Sequence, residues 1–148
     1  MIDRDVLSEL EDPHGNRNAH AWMDSVPDNS LYLSVITVKE GQKGIIRGLS
    51  RASSEKARSK ALKRQEWFSL LLSSFADRIV PIDHEISLRW GEMLAAREVH
   101  IMDTGIAATA SIRGFIIATR NVDDYRGRNV QLVNPFSRRP QIVTSDVI

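Results

Sequence analysis

The sequence predicts a layered α/β fold with a short, mainly parallel sheet covered by helices on both faces. Three observations lead there. Short runs of branched apolar residues alternate with longer helical stretches. The runs are continuously apolar rather than alternating, as in parallel strands buried on both sides. And 148 residues, 42% hydrophobic and 26% charged, suffice for a single core. One domain over residues 1–136 is expected, followed by a mobile C-terminal extension at 137–148 carrying Arg138 and Arg139.

Taken in order, Leu31 to Ile36 reads as a buried strand leading into a helix that carries Glu40. Residues Ala61 to Phe75 present a broad apolar face from Leu62, Trp67, Phe68, Leu71 and Phe75, so a second helix is expected. Arg78 to Ile82 is a short strand ended by proline. Ile86, Trp90, Met93 and Leu94 recur at helical spacing after Asp83, placed as a cap. Thr104 to Ile112 is rich in small side chains, suiting a helix close against a sheet, and Gly114 stops it. Phe115 to Thr119 and Val130 to Val133 complete the strands.

Charge and composition narrow the function. Twenty basic and 19 acidic residues leave a net +1, which excludes a strongly basic coat protein or an acidic disordered tail. The chain has no cysteine, so disulfides, zinc ribbons and thiol nucleophiles are excluded. No apolar run approaches the roughly 20 residues of a membrane span, and the acidic opening Met1–Asp5 is unlike a signal peptide; a cytoplasmic protein is expected. The four histidines show no His-x-His or His-Glu-x-x-His spacing, so neither a zinc site nor a histidine base is expected. Phosphate-loop and Gly-x-Ser-x-Gly motifs are absent. Trp22, Trp67 and Trp90 are expected to pack rather than stack on bases.

Asp3 and Asp5, Glu40, Asp103, and the group Asn121, Asp123 and Asp124 come from four segments, each near a strand-to-helix junction. Any one of them suits a helix N-terminus, where a carboxylate complements the dipole. Together, converging carboxylates need a cation, and oxygen donors favour Mg²⁺ or Mn²⁺. Such an ion activates water and stabilises phosphoryl charge, which points to phosphodiester hydrolysis.

Five blocks in these segments resemble one family. Asp3-Arg4-Asp5-Val6-Leu7-Ser8-Glu9-Leu10 resembles D-T-N-V-L-S-E-L. The segment Leu31–Glu40 resembles L-Y-L-S-x-I-T-x-x-E, and Asp103–Ala110 resembles D-x-x-I-A-A-T-A. Ala118–Tyr125 is similar to A-T-R-N-x-x-D-F, and Val133-Asn134-Pro135-Phe136 to V-N-P-[FW]. These are blocks of the VapC/FitB-type toxins of the PIN-domain family, in family order across residues 2–136.

The resemblance implies a three-layer PIN-like α/β/α domain and a metal-dependent ribonuclease, the toxin of a toxin–antitoxin pair. It implies Asp3, Glu40 and Asp103 as holders of Mg²⁺ or Mn²⁺, helped by Asn121, which stands at the family's fourth acidic position. Asp5 and Asp124 are additional candidates, and Thr119 is a supporting or phosphate-contacting hydroxyl. Ser34 and Thr37 are expected to cap the Glu40 helix. Implied partners are an RNA substrate, a small DNA-binding antitoxin that alone brings the complex to DNA, and a second copy in a homodimer; no membrane is involved.

Some positions depart from the pattern. Only Met1 and Ile2 precede Asp3, a very short central strand. Arg4 and Asp5 replace threonine and asparagine; Arg4 is placed either to pair with Asp3 or to meet RNA phosphate. Gly41 replaces leucine, at a cost of about 1 kcal/mol in helix propensity and the loss of a core contact. A toxin that has lost catalysis and serves as an antitoxin-binding partner is the alternative these departures raise. A haloacid-dehalogenase-like phosphatase, from Asp3-x-Asp5 with Ser34 and Asp123-Asp124, is a second. Finally, Lys39, Lys43, Arg47 and Arg51 recur every four residues, and nine bases against two acids leave +7 between residues 39 and 64. Such a stripe suits RNA phosphates or an antitoxin.

Overall fold

The computed structural model describes residues 1–146. The centre of the sheet is made by the first residues of the chain. The Ile2 N–H donates to the Tyr32 carbonyl on one side, and the Ala118 N–H to the Met1 carbonyl on the other, at 2.9 and 2.8 Å. A parallel bridge joins Ile2 to Ala118. Two residues therefore serve as the central strand. Outward from this segment lie β1 (Leu33–Ser34) and β2 (Ile79–Val80), paired in parallel. On the other side lie β3 (Ile117–Ala118) and β4 (Gln131–Val133), again parallel.

Strand alternation sorts the core into two faces. Met1, Ile117 and Leu132 point into one apolar cluster with Ile86, Met93, Ile106 and Ala107. Ile2, Ala118 and Val133 point into another with Val6, Leu7, Met23, Ile45 and Phe68. The first is covered by α5 (His84–Ala96) and α6 (Ile101–Arg113). The second is covered by α1 (Arg4–Glu11), α2 (Arg17–Ser25), α3 (Val35–Arg51) and α4 (Glu55–Ser74). This is the three-layer arrangement expected.

The helices start where short polar side chains take up orphan amides. Asp83 accepts the Ile86 N–H at 3.0 Å and also pairs with Arg113, tying α5 to α6. Gly114 ends α6 in the left-handed region at φ 68°. Gly105 lets α6 approach its neighbours: a Cβ there would stand 2.5 Å from Ile36 Cδ1 and 2.8 Å from Trp90. Trp90 packs there and donates its indole N–H to the Ile101 carbonyl at 3.0 Å; all three tryptophans pack against the core.

The structure corrects four expectations. The strand at Leu31–Ile36 stops at Ser34, whose hydroxyl accepts the Ile36 N–H at 3.2 Å and starts α3; a short apolar run fits a strand or the first turn of a buried helix equally well. Thr37 does not cap: its hydroxyl is buried without a hydrogen-bond partner among the described residues. The extension after residue 136 supplies β5 (Ile142–Thr144), antiparallel to β4; its last two residues, 147 and 148, lie outside the described ones. And Gly41 does not forfeit a core contact, because the Phe68 ring occupies its space and would stand 2.6 Å from an added Cβ.

Candidate active site

The carboxyl end of the central segment places Asp3 at the N-cap of α1, beside Thr119 at the end of β3. Asp3 is 7% exposed. It accepts the Arg4 backbone N–H at 2.7 Å through Oδ1, and two hydroxyls through Oδ2: Thr119 at 3.0 Å and Tyr125 at 2.9 Å. Thr119 Oγ1 in turn accepts the Asn121 N–H at 3.1 Å. The Thr119 hydroxyl therefore links Asp3 to the backbone at Asn121. Tyr125 is fully buried, and burial and the Asp3 charge hold its phenol firmly protonated as a donor.

Two further carboxylates, Asp5 and Asp103, share the field of Asp3, and Asp124 stands near Asp103. Asp5, on the first turn of α1, accepts the Arg120 N–H at 3.2 Å. Burial and the Asp3 charge push it above the usual carboxylate range. Asp103, on the first turn of α6, is pushed up to about 6, first by burial and then by Asp3 and Asp124. Asp124, in the short 3-10 turn Val122–Tyr125, lies opposite Asp103 across His100. His100 Nδ1 stands 3.5 Å from Asp124 and 3.8 Å from Asp103. Sequence reasoning set histidines aside because it sought paired-histidine spacings; the signal was the three-residue step from His100 to Asp103.

The remaining candidates sit elsewhere. Glu40 is engaged by lysines, with Lys39 Nζ at 2.6 Å and Lys43 Nζ at 3.3 Å. The hydrogen bond from Lys39 foremost holds it below the usual range. Asn121 is exposed, and its backbone carbonyl accepts the Asp124 N–H at 3.2 Å. Arg4 makes no ion pair with Asp3 among the described residues. Its side chain lines a groove of about 340 Å³ with Glu40, Lys43, Arg47, Arg51 and Arg64, where Gly44 and Gly48 form part of the wall. Three of the four stripe residues, Lys43, Arg47 and Arg51, therefore line one cavity, while Lys39 reaches Met102 and Glu40; Arg64 pairs with Glu11 at 3.1 Å. Ser34 is fully buried and spends its hydroxyl on the α3 cap, which removes it from the phosphatase alternative.

The donor chemistry fits a divalent cation. Asp103 and Asp124 receive no hydrogen bond among the described residues, and their one nearby basic group is His100. Four mutually repelling carboxylates without a matching cation are costly to ionise together, and a dication relieves that cost.

The PIN domain profile matches residues 1–127. The VapC ribonuclease Y4jK of Sinorhizobium fredii is 30% identical over 141 residues, covering 92% of this chain and 96% of the relative. Toxin FitB of Neisseria gonorrhoeae is 28% identical over 141 residues, covering 92% and 97%. Among solved structures, FitAB bound to an IR36 DNA fragment superposes with a TM-score of 0.76 at 27% identity, covering 93% of this chain and 96% of the other.

Proposed function

The chain belongs to the PIN domain family, with VapC and FitB proteins among its relatives, and from that premise we propose that it is a metal-dependent endoribonuclease, the toxin of a toxin–antitoxin pair. The observation that carries the reading is the convergence of Asp3, Asp5, Asp103 and Asp124 at the carboxyl ends of the strands. A bound Mg²⁺ or Mn²⁺ would lower the pKa of water and stabilise phosphoryl charge there.

The residues divide the work. Asp3 and Asp103 hold the cation, with Asn121 offering a neutral carbonyl oxygen and Asp5 and Asp124 adding charge. Thr119 and Tyr125 fix the Asp3 carboxylate by donating to one oxygen, leaving the face of the other turned to the Arg4 amide. Glu40 is assigned as a further donor by the family pattern. Its lysine partners are surface ion pairs, worth about 0–1 kcal/mol, so a stronger charge can recruit it. The groove lined by Arg4, Lys43, Arg47 and Arg51 borders Glu40 and suits the phosphates of the RNA flanking the scissile bond.

Partners follow the relatives. Because FitAB is found as a two-protein assembly on DNA, we assign this toxin a small DNA-binding antitoxin and no DNA contact of its own. A homodimer and a cytoplasmic setting belong to the same reading, and no helix among the described residues is long and apolar enough to cross a membrane.

The test is cleavage of a labelled, structured RNA pool by antitoxin-free protein in Mg²⁺, Mn²⁺ or EDTA, with Asp103→Asn in parallel. Cleavage that requires metal and disappears in the variant is expected. Cleavage persisting in Asp103→Asn would remove the site assignment. Absence of cleavage with either metal would favour the catalytically silent antitoxin-binding protein.

A further inference from the structure

We propose that His100 is itself a ligand of the ion held here, so that the centre prefers a first-row transition dication, represented by Mn²⁺, over Mg²⁺. The inference rests on the nuclease reading above and specifies the metal chemistry of its site. One nitrogen of His100 and one oxygen each of Asp103 and Asp124 all lie within 4.8 Å of one another. The two distances from Nδ1, 3.5 and 3.8 Å, already fall inside the roughly 4.2 Å that donors on one ion with bonds of about 2.1 Å can span.

The backbone that carries the imidazole is fixed by its surroundings, and the ring, 45% exposed, stands beside the two carboxylates. His100 is the N-cap of α6 yet makes no side-chain capping bond. Its backbone sits in the left-handed region at φ 48°, unusual for a residue other than glycine or asparagine. Buried donors fix the chain on either side. The Arg128 guanidinium, from a residue only 3% exposed, donates to the carbonyls of Met93 at 2.6 Å and of Arg97 and Val99 at 2.9 Å. Thr104 Oγ1 donates to the carbonyls of Val99 and His100. The loop thus presents an imidazole to the two carboxylates that receive no other donor.

The chemistry then sets the selectivity. Carboxylate oxygens alone suit Mg²⁺ and Mn²⁺ alike, whereas an imidazole nitrogen is a poor donor for Mg²⁺ and a good one for transition ions. Under this proposal one imidazole nitrogen joins the carboxylate oxygens in the donor set.

Metal-stripped full-length protein would be titrated with Mn²⁺, followed by electron paramagnetic resonance, and with Mg²⁺ by calorimetry. Wild type, His100→Gly and Asp103→Asn would be compared. Glycine accepts the left-handed backbone, so His100→Gly should fold; His100→Asn is the second variant for the same reason. We expect nitrogen-14 coupling on bound Mn²⁺ in the wild type alone. Mn²⁺ affinity should fall about 10- to 100-fold in both His100 variants, with Mg²⁺ affinity unchanged within about threefold. Mn²⁺ bound without nitrogen coupling, and equally well in His100→Gly, would overturn the inference while leaving the carboxylate site intact, provided Asp103→Asn abolishes binding. Failure of the wild type to bind either ion would instead remove the metal-dependent reading beneath it.

Discussion

Replacing Asp103 by asparagine should make the metal-free protein more stable while destroying its site. In the fold this carboxyl is pushed from 3.8 up to about 6 by burial and by the charges of Asp3 and Asp124. Each pKa unit corresponds to about 1.36 kcal/mol, so the full displacement is worth about 3 kcal/mol. The side chain remains 31% exposed, and solvent screening reduces this to about 1–2 kcal/mol. The sign follows from linkage. The raised value means that the folded state binds the proton more tightly than the unfolded chain. Stability therefore falls as pH rises from about 4 to about 6, and the penalty is complete above that window. Asparagine cannot ionise and escapes it. Thermal melts in EDTA at pH 7.5 should put Asp103→Asn about 3–6 °C above wild type, and the gap should close by pH 4. Adding Mn²⁺ should reverse the order, because ligand binding stabilises only the protein that retains the site. A variant less stable than wild type at pH 7.5 in EDTA, or a gap unchanged at pH 4, would refute this account of the carboxylate cluster.

Other perturbations address the surrounding structure. Tyr125→Phe deletes a buried donor to an ionised Asp3 and should cost about 1.5–3 kcal/mol in urea unfolding, together with loss of cleavage activity. Gly105→Ala forces a methyl against Ile36 and Trp90 and should cost about 1–3 kcal/mol. Gly48→Ala meets only open space and should instead stabilise by about 0.5–1 kcal/mol in the same assay. Converting Arg47 and Arg51 together to alanine should weaken RNA binding and flatten its dependence on log salt by about 1.4. Mn²⁺ affinity should be unchanged in that double variant.

Much of the architecture was legible because parallel strands and their following helices leave a strong local pattern. The caps at Ser34 and Asp83, the stop at Gly114 and the small-residue face of α6 follow from residue chemistry alone. What was illegible depended on tertiary partners. Val35 and Ile36 carry strand propensity, yet a cap one residue earlier turns them into a helix. The Ile142–Thr144 run is exposed throughout, so no burial pattern marks it, and only pairing with the free edge of β4 makes it a strand. Gly41 looked like a missing side chain until the Phe68 ring, 27 positions away, was seen to fill its place. In the site, the positions of Asp3, Asp103 and Thr119 were readable from the blocks that carry them. The roles of Tyr125 and His100 were not, because each depends on where a turn brings a side chain relative to Asp3 or Asp124. Nor did spacing reveal that Glu40 is held by Lys39 and Lys43.

The glycines of α3 have a consequence for motion. Within its 17 residues this helix holds Gly41, Gly44 and Gly48, and beyond Thr37 only Ile45 is fully buried. Each glycine removes about 1 kcal/mol of helix propensity, so its distal turns should fray well below the free energy of global unfolding. By contrast α6 is buried without interruption from Thr104 to Ala110. Amide hydrogen exchange should therefore be fast from about Gly44 onward and slow through α6. The groove lined by Arg47 and Arg51 then has a compliant wall, while the helix that carries Asp103 is stiff. A stem-loop or a helical peptide of somewhat different girth would be accepted by yielding on the arginine side, without disturbing the carboxylates on the stiffer elements.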